Sequence, residues 1–194
     1  HCAFRPGDSK NTYGTGCFML VNTGTRPIPS RHGLLSTVCY KLGPDAPTIY
    51  ALEGSVAIAG VGMSWLTHNL RLVENVGEIE ALAATVPDTG GVYLVPAFAG
   101  LFAPHWREDA RGAMVGLTQF TTRAHVVRAM MEAVCFQTAD VCGAMELDYE
   151  ASIARMKVDG GMTANSLLMQ LQADILGIEV MRPDMAEATG LGVA

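Results

Sequence analysis

The chain has 194 residues, of which 49% are hydrophobic and 16% are charged, and its formal net charge is −6. These values predict one well-filled globular domain. The acidic balance, without any lysine or arginine cluster, argues against a nucleic-acid partner, and no apolar run reaches the roughly 18 residues that a membrane span requires. The five cysteines form no Cys-x-x-Cys pair and no zinc-binding pattern, which favours reduced thiols in a cytoplasmic protein.

The first third of the chain is predicted to be β structure. β-Branched and aromatic residues recur over residues 18–21, 33–40 and 47–52, and turn-forming sequences rich in glycine and proline separate these runs. Further along, apolar residues recur at helical spacing. This spacing predicts a helix over residues 55–72 and a second one over residues 78–84.

The rest of the chain is predicted to alternate between strands and helices. Residues 91–96 form a continuous apolar run, which is typical of a strand covered on both faces. An irregular loop over residues 97–112 precedes a short strand over 113–117. Thr121 or Thr122 is then placed to cap a long helix. The last predicted elements are a strand over 155–158, a helix over 162–176 and a strand over 178–181. This order predicts a mixed α/β layered domain.

Both ends of the sequence suggest a piece of a longer chain. There is no initiator methionine, and the first residues do not form a signal peptide. Residues 186–194 resemble the beginning of a helix that stops before it can bury an apolar face. We therefore expect a domain that is truncated at both ends.

Two glycine-rich loops are the candidate ligand-binding features. In the first, Gly14 and Gly16 bracket Thr15 at the tip of a predicted hairpin. Glycine permits positive φ values and close approach by a ligand, and a hydroxyl beside two unshielded N–H groups suits a phosphate oxygen. By itself, this sequence is more often a tight turn that binds nothing.

The second loop, Gly160-Gly161, joins a predicted strand to a predicted helix. Such a junction places unpaired N–H groups and the positive end of a helix at the carboxyl edge of a sheet, where nucleotides bind. Gly161 lacks the Cβ that would collide with a base or ribose, and Asn165 offers an amide from the first helical turn. Gly-Gly turns without a ligand are also common, and neither loop is a Walker A or a Gly-x-Gly-x-x-Gly sequence. The nucleotide hypothesis therefore depends on the presence of two loops.

Residues 11–20 closely resemble the phosphate hairpin of the glycerol kinases, within the carbohydrate-kinase family. Further matches, in the order of the family's motifs, are residues 50–56, 59–60, 95–104, 116–132, 158–161 and 168–177. The resemblance covers essentially the whole chain. It implies a ribonuclease-H-like lobe of the actin-like (actin/hexokinase-like) ATPase superfamily, with a mixed sheet and flanking helices. Residues 1–194 would then be most of the C-terminal nucleotide-binding lobe of a two-lobe kinase.

The resemblance also implies roles for individual residues. The implied ATP-binding residues are Thr15, Gly60, Ser64, Gly161 and Asn165. Phe18 is implied to lie against the carbon backbone of glycerol or a similar polyol. The chain departs from the family pattern at two positions, because Ser64 stands where some relatives have a longer polar residue and Ser166 replaces a second asparagine.

The implied reaction is transfer of the γ-phosphoryl group of Mg²⁺–ATP to a hydroxyl of glycerol. The general-base aspartate is expected upstream of His1 and the Mg²⁺ ligands in the other lobe, so this chain alone is expected to catalyse nothing. The implied partners are ATP or ADP, the polyol, and further copies of the full-length enzyme. A kinase of another polyol or sugar and a non-catalytic nucleotide-gated module are the alternatives.

Several other polar residues are predicted to be structural. Asp159 is expected to order its turn as a hydrogen-bond acceptor, and His125 is expected to be structural or exposed. Cys17 is expected to pack rather than react, and Asp148 is expected to be a solvated surface acid. His105 and Trp106 lie in a loop that could touch a partner or the hinge.

Overall fold

The computed structural model describes residues 3–183, and a six-stranded mixed sheet forms its centre. The strands are β1 (Ser9–Tyr13), β2 (Cys17–Gly24), β3 (Leu35–Tyr40), β4 (Ile49–Val56), β5 (Tyr93–Val95), β6 (Ala113–Val115), β7 (Arg155–Asp159) and β8 (Glu179–Met181). The helices are α1 (Gly60–His68), α2 (Glu78–Ala83), α3 (Arg123–Tyr149) and α4 (Ser166–Leu176). The predicted helix beginning at 186–194 lies outside the described residues.

The sheet combines an antiparallel meander with two parallel strands. Its order is β3-β4-β2-β1-β7-β8. The first four strands along the chain pair antiparallel, whereas β7 pairs parallel with both β1 and β8. The mixed α/β sheet with flanking helices that the sequence predicts is thus confirmed.

One face of the sheet packs on the long helix α3. Side chains alternate between faces along a strand, and on β2 this buries Cys17 and Met19 while Phe18 between them stays exposed. Gly54 in the neighbouring strand lets α3 approach closely, because a Cβ at this position would lie 2.4 Å from Cγ1 of Val141. The core therefore lies between the sheet and α3.

Helix α3 begins where the sequence predicts. Thr122 is its N-cap residue, with extended backbone angles. The backbone N–H of Thr122 donates to Nδ1 of His125 at 3.0 Å, so that the histidine satisfies an amide at the helix start. The prediction that His125 is structural is confirmed.

The helix predicted over residues 55–72 is wrong at both ends. Strand β4 continues to Val56, which pairs with Cys17 of β2, and α1 covers only Gly60–His68. Pairing with the central strand outweighs the local helical spacing of the apolar residues.

The apolar run over residues 91–96 is also not the doubly covered strand that was predicted. Only Tyr93–Val95 is a strand, and it pairs with β6 in a separate two-stranded sheet. Tyr93 and Val95 are 56% and 44% exposed, because only the face that carries Leu94 packs on the core. In the described range 3–183, no helix is long and apolar enough to cross a membrane.

Candidate functional site

The first glycine loop is the turn between β1 and β2, as predicted. The N–H of Gly14 donates to the carbonyl of Gly16 at 2.9 Å, and Thr15 is exposed at the tip. Neither glycine has a positive φ. A Cβ on Gly16 would instead lie 2.3 Å from the carbonyl oxygen of Val56, so close packing requires glycine at this position.

The hairpin tip is joined to the N-terminus of α1. The carbonyl of Thr15 accepts from the N–H groups of Ala59 at 3.0 Å and Val61 at 3.2 Å, and the carbonyl of Gly14 accepts from Gly60 N–H at 2.9 Å. These amides would otherwise lack partners at a helix start. The structure thus places Thr15 beside Gly60. The Thr15 hydroxyl makes no hydrogen bond to another residue within 3–183.

The second glycine loop follows β7 and contains two different kinds of glycine. Gly160 has φ +93°, and a Cβ there would lie 2.3 Å from the carbonyl oxygen of Tyr13. Gly161 is exposed, and a Cβ on it would meet nothing within 4 Å. The space beside Gly161 is therefore open to a ligand.

The helix start after this loop differs from the prediction. Residues Gly161–Ala164 form a 3-10 turn, and α4 begins only at Ser166. Oδ1 of Asn165 accepts from the N–H of Leu168 at 2.8 Å, and Glu80 accepts from the N–H of Leu167 at 2.9 Å. The expectation of unpaired amides is wrong for these two, because side chains satisfy them. The amide nitrogen of Asn165 is the atom of that side chain left for a ligand.

Gly161 and Asn165 line a cleft of about 280 Å³ between α1, α2 and the start of α4. Its other lining residues are Met63, Val76, Gly77, Ile79, Glu80, Met162, Ala164 and Leu168. Apolar walls with a few polar groups are typical of small-molecule sites. This composition suits a flat heterocycle such as a nucleotide base.

Ser64 does not line this cleft. It faces a wider cleft of about 730 Å³ on another side of α1, where Trp65, Phe98 and Arg111 are among the walls. Gly60, by contrast, borders the second loop, because a Cβ on it would lie 3.6 Å from Sδ of Met162. The structure therefore places Gly161 and Asn165 in one cleft and Thr15 beside Gly60, while Ser64, one helical turn after Gly60, lines the neighbouring cleft.

Phe18 lies two residues beyond Gly16, on the face of the sheet opposite α3. It is 45% exposed, and it stands in register between Thr12 of β1 and Ser55 of β4. Residues directly opposite one another in a sheet share a face. An aromatic surface thus lies on this open face, beside the end of the hairpin.

Two further acidic candidates, Asp148 and Asp159, are hydrogen-bonded within the fold. The carboxylate of Asp148 is only 2% exposed, because Ser30, the Arg31 N–H and His32 bind it, so the prediction of a solvated surface acid is wrong. Asp159 is buried and accepts a hydrogen bond from Thr12 of the neighbouring strand β1 at 2.5 Å, which confirms its role as an acceptor, while an effect on its own turn stays a prediction.

The buried cysteines are expected to be unreactive. Burial raises the pKa of the Cys17 thiol to about 12, as expected for a packing residue, and it raises the pKa of Cys142 to about 12. The pKa of Cys135 is raised further by the same cause. A thiolate, the reactive form of cysteine, is therefore scarce at these positions near neutral pH.

Sequence reasoning missed Lys10, Thr12 and Gln172. Lys10 and Thr12 are two residues apart on one face of β1, immediately before the hairpin, and this spacing could have drawn attention to them. Gln172 is fully buried and accepts from the Tyr13 hydroxyl at 2.7 Å. No pattern in the sequence distinguishes Gln172 from the other polar residues of this amphipathic helix.

Residues 9–194 match the model of the FGGY family of carbohydrate kinases, C-terminal domain. The chain belongs to this family. It is 57% identical over 191 residues to a glycerol kinase of Beijerinckia indica, a match that covers 98% of this chain and 38% of that protein. A probable glycerol kinase of Dictyostelium discoideum is 54% identical over 191 residues and is covered to 35%.

Solved structures agree with this assignment. The crystal structure of Plasmodium falciparum glycerol kinase with ADP matches with a TM-score of 0.92 at 40% identity, over 98% of this chain and 38% of that one. A xylulose kinase from Bifidobacterium adolescentis matches with a TM-score of 0.80 at 23% identity, over 98% of this chain and 36% of its own. At that identity the match shows the fold alone. The chain spans about 38% of the length of the first of these relatives.

Proposed function

We propose that this chain is the nucleotide-binding lobe of an ATP-dependent glycerol kinase, which forms glycerol 3-phosphate. The observation that carries the proposal is 57% identity, over 98% of this chain, to several proteins described as glycerol kinases. Identity at this level does not favour the alternatives of another polyol kinase or a non-catalytic nucleotide-gated module.

The proposed nucleotide site uses the two glycine loops. Thr15, exposed at the hairpin tip beside Gly60, would contact the phosphates, and Gly161 and Asn165 would border the base and ribose. Support comes from the open space beside Gly161 and from the cleft next to it. The related P. falciparum enzyme was crystallised with ADP. Ser64, in the neighbouring cleft, would reach the nucleotide only through water.

The chemistry we propose is in-line transfer of the γ-phosphoryl group to a terminal hydroxyl of glycerol. Positioning and electrostatic stabilisation dominate such reactions. Phe18 would support the CH face of the polyol from the open face of the sheet. The aspartate that takes the hydroxyl proton would lie upstream of His1, in the other part of the full-length enzyme.

Magnesium would accompany ATP, and its ligands would also lie in the other lobe. Within residues 3–183, no group of three or more histidine, cysteine, aspartate or glutamate residues could hold a metal ion. The donor groups of these described residues therefore do not fit a resident cation. We further propose a cytoplasmic enzyme that is a homo-oligomer at full length.

The test is turnover by the full-length enzyme with glycerol, xylulose and gluconate as acceptors, and with ATP as donor. Glycerol should be phosphorylated with a kcat/KM at least a hundredfold above those for the sugar and the sugar acid. A preference for either of the latter would contradict the proposal. The 194-residue chain alone should show no phosphorylation of glycerol, and measurable turnover would contradict the assignment of the general base to a segment outside it.

A further inference from the structure

A polar link joins the two glycine loops at their bases. Oγ1 of Thr12 donates to Oδ1 of Asp159 at 2.5 Å, although the two residues are 147 positions apart in the sequence. They stand directly opposite each other in the parallel pairing of β1 and β7. Thr12 comes two residues before Gly14, and Asp159 comes immediately before Gly160, so the link lies where both loops leave the sheet.

A lysine completes this link. Nζ of Lys10 donates to Oγ1 of Thr12 at 2.8 Å. Burial lowers the pKa of Lys10, while the nearby charges of Asp159 and Glu53 act in the opposite direction. The Thr12 hydroxyl thus accepts from an ammonium group and donates to a carboxylate at the same time. Serine can replace it in both roles, whereas valine, of similar shape, can replace it in neither.

A second connection holds the loops on the opposite face of the sheet. Tyr13, next to Thr12, donates from its hydroxyl to Gln172 of α4 at 2.7 Å. Gln172 in turn donates from Nε2 to the carbonyl of Cys135 at 3.3 Å. Because this buried connection does not involve Thr12, removal of the Thr12 hydroxyl should leave the fold intact and change only the fine placement of the loops.

We propose that Thr12 and Asp159 are positioning residues, which hold the phosphate-binding hairpin at a fixed distance from the nucleoside-binding loop. This inference rests on the proposed nucleotide site. A nucleotide with phosphates would touch both loops at once, whereas adenosine would touch only the second. A ligand that bridges two sites gains affinity only when their separation matches its length. Loss of the link should therefore weaken the binding of ADP and leave the binding of adenosine unchanged.

A matched control exists on the same pair of strands. Oγ of Ser9, at the other end of β1, donates to the carbonyl of Arg155 in β7 at 2.8 Å. Ser9 is buried like Asp159, but it is roughly 10 Å further from the hairpin than Thr12 is, at about 3.3 Å per residue. Its removal tests whether any lost side-chain link between these strands would have the same effect.

The experiment is calorimetric titration of the full-length kinase with ADP and, separately, with adenosine. Thr12→Val should raise the Kd of ADP about tenfold and that of adenosine less than twofold, and Thr12→Ser should restore ADP binding to within twofold of wild type. Ser9→Ala should leave both affinities within twofold. Asp159→Ala should also raise the Kd of ADP and not that of adenosine. The double variant Thr12→Val/Asp159→Ala should have a Kd for ADP no more than twofold above that of the single variant with the higher Kd.

Three results would overturn the inference. They are equal weakening of ADP and adenosine by Thr12→Val, an effect of Ser9→Ala as large as that of Thr12→Val, and fully additive effects in the double variant. Should Thr12→Val fail to fold, Asp159→Ala removes the link instead, and Thr12→Ser is the control variant that keeps it. Failure of the wild-type kinase to bind ADP would contradict the proposed function instead, so the two failures are distinguishable.

Discussion

The two glycine loops look alike in the sequence, but the structure requires their glycines for different reasons. In the hairpin, Gly16 has an ordinary φ and is required because the carbonyl of Val56 occupies the space of a Cβ. In the second loop, Gly160 needs both a positive φ and the absence of a Cβ, whereas Gly161 needs neither. The fold leaves two glycines of these loops unexplained: a Cβ on Gly14 would make only an ordinary contact, 3.8 Å from the carbonyl oxygen of Gly16, and a Cβ on Gly161 would meet nothing within 4 Å.

This difference separates glycines that packing requires from glycines beside which the fold leaves space for the proposed ligand. Where a Cβ would collide with the protein's own backbone, substitution should damage the fold first and binding as a consequence. Where a Cβ would meet only open space, substitution should damage binding alone. Three glycine substitutions test this contrast, and Asp148→Asn gives a stability loss outside both loops for comparison.

Gly160→Ala should have the largest effect. The new Cβ would lie 2.3 Å from the carbonyl oxygen of Tyr13, at φ +93°. Overpacking of about 3 kcal/mol and a left-handed penalty of about 1 kcal/mol should together lower the free energy of unfolding of the chain by about 4 kcal/mol. Urea unfolding followed by circular dichroism measures this loss. A loss below about 1 kcal/mol would show that the loop can rearrange freely.

Gly16→Ala should come next. Its Cβ would lie 2.3 Å from the carbonyl oxygen of Val56, but its φ is ordinary, so only the overpacking cost of about 3 kcal/mol applies. The same urea titration measures it. Equal losses at Gly16 and Gly160 would mean that the positive φ contributes nothing to the difference between the loops.

Asp148→Asn, outside both loops, should lower stability by about 2 kcal/mol at pH 7 because the hydrogen bonds from Ser30, Arg31 and His32 to the carboxylate are weakened. Burial raises the pKa of Asp148, but the hydrogen bonds from Ser30, Arg31 and His32 outweigh it and hold this pKa below its ordinary value.

A carboxyl group with a lowered pKa stabilises the fold above its unfolded-state pKa of about 4, and this contribution is lost as the pH falls through the folded-state pKa. The stability difference between wild type and Asp148→Asn should therefore be constant near neutral pH and shrink below about pH 4. ADP affinity of the full-length kinase should not change. A difference that grows on acidification would contradict the ionised state of Asp148.

Gly161→Ala should have the smallest effect on the fold, within about 0.5 kcal/mol, because no described residue lies within 4 Å of the new Cβ. The affinity of the full-length kinase for ADP should nevertheless fall about tenfold, which corresponds to about 1.4 kcal/mol. Calorimetric titration measures the affinity, and urea unfolding provides the control. Unchanged ADP binding would remove Gly161 from the proposed site.

Local patterns in the sequence were sufficient to predict several parts of the site. The hairpin around Thr15, the strand-to-helix junction at Gly161 and the cap of α3 at Thr122 each depend on residues close together in the chain, and each is present. Turn and cap preferences depend on only a few neighbouring residues, so they can be predicted from the sequence alone.

Features that depend on distant residues could not be predicted in this way. The four-residue spacing from Gly60 to Ser64 places both on one face of a helix, but it does not tell which cleft lies beside Ser64. The contact between Thr12 and Asp159 joins two strands that are adjacent only because β7 pairs with β1. The end of β4 at Val56 was likewise set by pairing with β2, against the local helical pattern.

The buried cysteines give this domain a built-in chemical reporter of its own opening. Cys17 is the first residue of β2, and Cys135 and Cys142 lie on α3. All three thiols are buried, and their pKa values are raised. An alkylating reagent should reach them only when the packing around α3 opens, which for Cys135 includes its contact with the Leu168 carbonyl of α4 at 3.8 Å. The rate at which each cysteine is alkylated, measured by mass spectrometry, would then report local opening at that residue.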